Sequence, residues 1–238
     1  AQRCGLLLAL GQAQTRSGET AKAQATFADA AVIARQMNRP EYLARAALGF
    51  AGEVVTPGLA NQRVMTLLTE ALAVLGDSDS DLRVHLLGRL AMEYRYAPFE
   101  GLREQLSREA VAVARRLARH TTLVFALNAR HFAILGPDTL EQRTAISLEL
   151  AQLAQATGDQ ELALQSLPWR LADLLDLGHI HAADDEIATA ARLADELGRP
   201  LYRWYTGVFR ALRALMNGQF AAAEQLANDA HTLGRWVQ

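Results

Sequence analysis

Four arginines recur at nearly constant intervals along this 238-residue chain. Arg89, Arg130, Arg170 and Arg210 follow one another at sequence separations of 41, 40 and 40. If the fold repeats at this period, these side chains take equivalent places on successive repeats, with neighbouring copies about 10 Å apart. A row of guanidinium groups could bind a carboxylate, a phosphate or an acidic peptide through paired hydrogen bonds. The alternative is that each arginine points to solvent or bonds to the neighbouring repeat.

Polar and aromatic side chains cluster in the same segments as these arginines. They could line a groove of rigid aromatic anchors and hydrogen-bonding tips, or they could simply pack between repeats around a buried histidine. Glu93 follows Arg89 by four residues, a spacing that allows pairing along one helix. The predicted ligand- or partner-binding residues are Arg89, Glu93, Asn128, Arg130, His131, Trp169, Arg170, Tyr205 and Arg210.

Two histidines and two aspartates lie within seven residues of one another, at His179, His181, Asp184 and Asp185. Imidazole and carboxylate groups at this density could ligate zinc if the turn folded back on itself. Turns between helices are routinely polar, and aspartates near a helix N-terminus are favoured by the helix dipole. We therefore expect a polar turn here, and predict no metal site.

The sequence carries no recognised catalytic motif. Lys22 is its only lysine and lies outside any phosphate-binding Gly-Lys-Ser/Thr loop, and no His-Glu-x-x-His or nucleophile elbow occurs. If the protein were an enzyme, His131 and Glu93 would be the first candidates for an acid–base pair. We expect a non-catalytic protein without a cofactor.

The overall charge disfavours nucleic acid as a direct ligand, since 24 basic residues are balanced by 26 acidic ones for a net charge of −2. The single cysteine, Cys4, excludes an internal disulfide and is typical of a reducing compartment. No signal peptide and no apolar run long enough to span a bilayer is present, which predicts a cytoplasmic protein without membrane contact.

The elements that must position these residues are helical hairpins. Turn markers at Asn38, Asp79, His120, Asp159 and Arg199 follow one another at sequence separations of 41, 41, 39 and 40. Apolar residues between them recur at three- and four-residue spacing, and no alternating strand pattern appears. The predicted helices form six pairs: 2–16 with 19–37, 41–54 with 61–75, 81–96 with 102–118, 121–135 with 140–157, 161–177 with 181–197, and 201–217 with 220–236.

Three of these hairpins share a Gly-x4-Ala element. Gly18, Gly178 and Gly218 each precede an alanine by five residues, namely Ala23, Ala183 and Ala223. Glycine allows a tight reversal without a Cβ penalty, and the alanine allows two helices to approach closely. In the first hairpin the alanine is followed by Phe27 and Ala30.

This spacing resembles the tetratricopeptide repeat, whose second helix reads Ala-x3-Phe-x2-Ala, and Leu10-Gly11 resembles the Leu-Gly of its first helix. The period of about 40 residues is longer than the usual 34. The segments LNARH at 127–131, GPD at 136–138 and RWY at 203–205 look like the repeat region of large bacterial signal-transduction ATPases. Many of these also carry a DNA-binding module of LuxR or antibiotic-regulator type.

The resemblance implies one right-handed superhelical solenoid over residues 1–238, cut from a longer chain. It implies a sensor or protein-interaction arm of a multidomain bacterial transcriptional regulator, with the ATPase or DNA-binding module elsewhere in the parent. A protein partner or a small anionic effector would bind the concave face formed by the first helices of the hairpins. The alternative is a passive scaffold that binds another protein or forms a homodimer.

Overall fold

The computed structural model describes residues 2–52, 55 and 58–237. Within them the chain is all-α, as predicted, with twelve α-helices, two 3₁₀ helices (Tyr94–Tyr96 and Pro137–Thr139) and no strand. The α-helices are α1 Gln2–Arg16, α2 Thr20–Gln36, α3 Pro40–Ala51, α4 Gln62–Leu75, α5 Asp81–Glu93, α6 Glu100–Leu117, α7 His120–Ala133, α8 Leu140–Thr157, α9 Gln160–Asp176, α10 Ile180–Glu196, α11 Pro200–Met216 and α12 Phe220–Val237. The predicted helix end at Val54 and the predicted turn at Thr56 and Pro57 lie outside the described residues.

The chain divides into two compact units, Ala1–Leu135 and Gly136–Gln238, called here the N-terminal and the C-terminal unit. The N-terminal unit holds α1 to α7, and the C-terminal unit holds α8 to α12. The fourth predicted hairpin, α7 with α8, therefore has one helix in each unit.

Helices within each unit contact only their close neighbours in the sequence. In the N-terminal unit α1 packs against α2 and α3, α3 against α4 and α5, and α5 against α6 and α7. In the C-terminal unit α9 packs against α8, α10 and α11, and α11 against α12. In the hairpins that lie within one unit, the first helix thus contacts its own second helix and the next first helix of that unit, which is the packing of a helical repeat.

The same ion pair recurs between successive first helices. Arg199, just before α11, donates to Glu161 in the first turn of α9 at 2.7 Å. Arg119, just before α7, donates to Asp81 in the first turn of α5. Each pair joins positions 38 apart in the sequence, so both units use one inter-repeat register.

Left-handed residues end most of the helices. The predicted elbows Gly18, Gly178 and Gly218 are confirmed, with φ of +77°, +74° and +72°. Two residues with a Cβ adopt the same conformation, Asn38 at +49° and Ala118 at +52°. A left-handed residue at the C′ position lets the chain reverse while its N–H satisfies a terminal carbonyl, and glycine does this without steric cost.

The Phe27 ring lies in a cradle of two glycines on adjacent first helices. A Cβ added to Gly11 would lie 2.7 Å from the ring, and one added to Gly49 would lie 2.3 Å from it. Phe27 is only 2% exposed, so the ring fills the space that both glycines leave open. Gly11, Phe27 and Gly49 therefore form one packing unit that joins α1, α2 and α3.

Candidate functional site

Arg89, the first of the four predicted arginines, lies on α5, and its buried side chain caps the C-terminal end of α3. Its guanidinium donates to the carbonyls of Ala51 at 2.9 Å and Gly52 at 3.0 Å, and to Glu93 Oε1 at 2.7 Å. Arg89 and Glu93 are 5% and 2% exposed. Burial lowers the pKa of Arg89, with the Glu93 charge acting in the opposite direction. These two predicted binding residues hold α3 against α5 and present no guanidinium edge to solvent.

Arg130 lies on α7, 41 residues after Arg89, and turns towards α6. It donates to Ser107 Oγ at 3.2 Å and lies 3.9 Å from Glu104 Oε1. Burial lowers its pKa; Glu104 opposes that shift and Arg108 adds to it. With its side chain 14% exposed, Arg130 serves mainly to join two helices of the N-terminal unit.

Arg170, on α9, is more accessible but also has an acidic partner. It lies 2.8 Å from Glu186 on α10, and its side chain is 40% exposed. Burial raises the pKa of Glu186; Arg170 lowers it and Asp185 raises it further. Arg170 thus neutralises a carboxylate that the fold desolvates, which leaves it only partly available to a ligand.

Arg210 differs from the other three. It is exposed on α11 and, among the described residues, has no acid within ion-pair distance. It lines a groove of about 280 Å³ between α10, α11 and α12. The groove also contains Arg203, whose guanidinium pairs with Asp195 at 2.7 Å, and the carboxylate of Asp229. Of the predicted row, Arg210 alone presents a guanidinium that is exposed and lacks an ion-pair partner among the described residues.

The remaining predicted site residues lie partly or fully inside the fold. His131 is completely buried, and the Asn128 Oδ1 atom is buried without a hydrogen-bond donor among the described residues. Trp169 and Tyr205 are half-buried. Burial raises the pKa of the Tyr205 hydroxyl, and its ring lies 4.8 Å from that of Trp204. Several side chains of the predicted aromatic groove thus pack partly or fully inside the fold.

The residues that the sequence offered for catalysis or for metal binding are buried or make other contacts. His131 and Glu93 are 0% and 2% exposed, so neither is open to a substrate. Asp184 accepts from Arg213 Nε at 2.7 Å and Nη2 at 3.1 Å, and this pairing lowers its pKa. Across the described residues no three His, Cys, Asp or Glu side chains cluster as metal ligands. None of the described helices is long and apolar enough to cross a membrane.

The sequence interpretation missed a buried ionic network in the C-terminal unit. Arg143 on α8 is 0% exposed and donates to Asp173 at 2.5 Å and to Asp176 at 2.7 Å. Ser147 donates to the other Asp173 oxygen. Arg143 and Ser147 stand four residues apart on one helix face, which is the only signal that the sequence offered for this network.

A second groove, in the N-terminal unit, was also missed. It measures about 360 Å³ and lies between α2 and α4 with Phe50 of α3 at its base. Arg35 and Glu70 both line it and are joined by two hydrogen bonds of 2.6 and 2.7 Å. The guanidinium of Arg63 lies over the Phe50 ring, 5.7 Å from its centroid.

The two grooves occupy the same place in the repeat, four periods apart along the chain. Ala31, Arg35, Phe50, Thr66 and Glu70 line the first groove, and their counterparts line the second. The counterparts are Ala191, Asp195, Arg210, Leu226 and Ala230. Phe50 thus takes the position that arginine holds in the last three hairpins.

No protein-family model matches the chain, and no curated protein sequence matches it significantly. What the protein binds therefore has to follow from the chemistry of its own grooves.

Proposed function

We propose that this chain is a non-catalytic helical-repeat binding module, which serves as the sensor or protein-interaction arm of a multidomain bacterial transcriptional regulator. An anionic effector or an acidic segment of a partner would bind in the α10–α12 groove. Binding would favour one conformation of the repeats and so change the restraint on an attached ATPase or DNA-binding module. The single free thiol, Cys4, supports a cytoplasmic location.

The observation that carries this proposal is the exposed guanidinium of Arg210 in the C-terminal groove. An arginine without an acidic partner can offer two parallel donors to a carboxylate or a phosphate. Arg203 stands in the same groove and could exchange Asp195 for a ligand anion. Arg89, Arg130 and Arg170 would instead maintain the geometry of the repeats.

The proposal is tested by thermal unfolding in a panel of carboxylate and phosphate metabolites and acidic peptides. A ligand that stabilises the wild-type protein should lose its effect on Arg210→Gln. The matched control is Arg192→Gln, because Arg192 is exposed on α10 but pairs with Glu196 outside the groove. An equal loss in both variants, or no stabilising ligand at all, would count against an effector in this groove.

The regulatory context is tested at the level of the gene. A nucleotide-binding loop before this region, or a helix-turn-helix beside it, would support the proposed class of parent protein. Flanking sequence that encodes an unrelated enzyme would overturn it.

A passive scaffold is the second candidate, and one observation favours it. Large apolar side chains are exposed on the last hairpin, with Leu215 52% and Phe220 70% exposed. They continue along α11 as Val208, Leu212 and Met216. Exposed apolar patches often mark protein interfaces. A dimer that Leu212→Glu dissociates, together with no metabolite effect on unfolding, would favour the scaffold.

A further inference from the structure

The α2–α4 groove of the N-terminal unit has an apolar base. Phe50, Leu67 and Ala31 line it and are 7%, 8% and 1% exposed, so they form its floor, and Val32 forms a wall that is 47% exposed. Its volume of about 360 Å³ lies within the range of small-molecule sites. An apolar chain or ring that enters this groove would exchange contact with water for contact with Phe50 and Leu67.

The rim of the same groove carries an excess of positive charge. Its charged lining residues are Arg35, Arg63 and Glu70, which sum to +1. Arg35 and Glu70 neutralise one another through their paired hydrogen bonds. Arg63 is exposed, has no acidic partner among the described residues, and is held over the Phe50 ring by a cation–π contact. Its guanidinium edge is therefore available to a carboxylate.

The geometry of the groove is fixed by groups that a ligand would not need to displace. The Arg35–Glu70 pair bridges α2 and α4, the two walls of the groove. Phe50 is held in α3, below both walls. A ligand would find the apolar floor and the cation already placed, which reduces the ordering cost of binding.

The equivalent groove of the C-terminal unit offers a different chemistry. There Arg210 replaces Phe50 and Ala230 replaces Glu70. Its charged lining residues, Asp195, Arg203, Arg210 and Asp229, sum to zero. The aromatic floor beneath a cation is thus a property of the N-terminal groove, where an apolar body and an anionic head can be held together.

We propose that the α2–α4 groove binds a small organic carboxylate with an apolar body. The apolar body packs on Phe50 and Leu67, and the carboxylate accepts hydrogen bonds from Arg63. This site does not use Arg210, so it stands or falls independently of the function proposed above.

The test is calorimetric titration of the intact chain with octanoate, and with octanol as the uncharged analogue of the same chain length. Octanoate should bind roughly tenfold or more tightly than octanol, which corresponds to one charge-assisted contact. Arg63→Gln should remove that preference and leave the weaker binding of octanol unchanged. Octanol binding as tightly as octanoate, or an undiminished preference in Arg63→Gln, would overturn the proposal.

Two further variants locate the binding. Thr66 is exposed and lines the groove, so Thr66→Trp should fill the groove and abolish octanoate binding without unfolding the chain. Arg16 is an exposed arginine outside the groove, and Arg16→Gln should bind octanoate like the wild type. Wild-type affinity in Thr66→Trp, or an equal loss in Arg16→Gln, would show that octanoate binds elsewhere or binds through net charge alone.

Discussion

At the scale of single residues, the Phe27 ring packs directly against two glycines. The ring occupies the volume that Gly11 and Gly49 leave open, so the first and second hairpins meet at a contact with no spare space. Close-packed interiors respond to a single added methyl group because neighbouring atoms cannot move apart freely.

Gly49→Ala should therefore destabilise the protein. Overpacking against Phe27 costs about 1–3 kcal/mol and outweighs the gain in helix propensity of about 1 kcal/mol. The measurement is the urea midpoint of unfolding, monitored by circular dichroism. The matched control is Gly5→Ala in α1, where a new Cβ meets no atom within 4 Å. That change should be neutral or slightly stabilising, and an equal loss in both variants would contradict the cradle.

The predicted arginines illustrate what residue spacing can and cannot establish. Their spacing follows the period of the repeat to within one residue, at separations of 41, 40 and 40. It could not reveal the backbone carbonyls that Arg89 bonds to or the Ser107 partner of Arg130, since these lie 37–38 and 23 residues away in the sequence. The Arg143 network escaped for the same reason. The hydrogen-bond partners of Arg143 lie on α9, and no local sequence pattern links them to α8.

At the scale of secondary-structure elements, two equivalent helix ends have the same left-handed backbone conformation. Only one of them carries the glycine that this conformation favours. Ala118 follows α6 with φ of +52°, and Gly158 follows α8 with φ of +63°. The two residues are equivalent caps one repeat apart, and their N–H groups bond to the carbonyls of Arg115 and Gln155. Alanine is strained in this conformation, whereas glycine is not.

Ala118→Gly should stabilise the protein by roughly 0.5–1 kcal/mol, because it relieves a left-handed alanine whose side chain is exposed. Gly158→Ala should destabilise it by a similar amount, since an added Cβ there meets no neighbour and the effect comes from the backbone alone. Thermal unfolding of both variants measures the pair. Shifts in the same direction would show that the caps are not equivalent.

The helices themselves were predictable because three- and four-residue apolar spacing and Gly or Pro punctuation are local signals. For example, α1 and α8 begin and end at the predicted residues. The sequence pattern predicts that α5 ends at Tyr96, but the α-helix ends at Glu93 and the last turn, Tyr94–Tyr96, is a 3₁₀ helix. There Arg95 donates to the carbonyls of Phe132 and Leu135 at the end of α7, a tertiary contact that no local pattern contains.

The ion pair that bridges α2 and α4 makes stability depend on pH. Hydrogen bonds from Arg35 lower the pKa of Glu70, so its ionised form stabilises the fold above the ordinary glutamate pKa of about 4.3. This contribution is lost as the pH falls through the lowered value. Because the pair is partly exposed, it amounts to less than about 1 kcal/mol.

Urea midpoints between pH 7 and pH 3 check this dependence. Glu70→Gln should be slightly less stable than the wild type at pH 7, and the two should converge on acidification. Glu224→Gln provides the comparison, because Glu224 is exposed and has no ion-pair partner among the described residues. Parallel curves for the wild type and Glu70→Gln would contradict a stabilising Arg35–Glu70 pair.

At the scale of the whole molecule, the neighbour-only packing of each unit determines how a local defect spreads. Helices α1 to α4 pack in series up to α5, while α9 to α12 form a separate series of contacts in the C-terminal unit. In such arrays stability is close to a sum of nearest-neighbour contributions.

Hydrogen exchange of Gly49→Ala should therefore show a graded response along the chain. Amides of α1 to α4 should exchange faster than in the wild type, because the strained contact lies among them. Amides of α9 to α12 should keep their wild-type rates, since those helices belong to the other compact unit. Uniform acceleration along the entire chain would indicate a single cooperative structure instead.

The regular left-handed turns have a consequence for how this protein can change over evolutionary time. Most of them are separated by whole multiples of half a repeat, at positions 18, 38, 118, 158, 178, 198 and 218. Within a unit, duplication of one complete hairpin keeps each first helix beside another first helix, and so preserves their mode of packing. Duplication or deletion of a single helix exchanges first and second helices and breaks that packing. The number of repeats is therefore free to vary, and each added hairpin brings a further copy of the groove whose lining can diverge, as Phe50 and Arg210 already have.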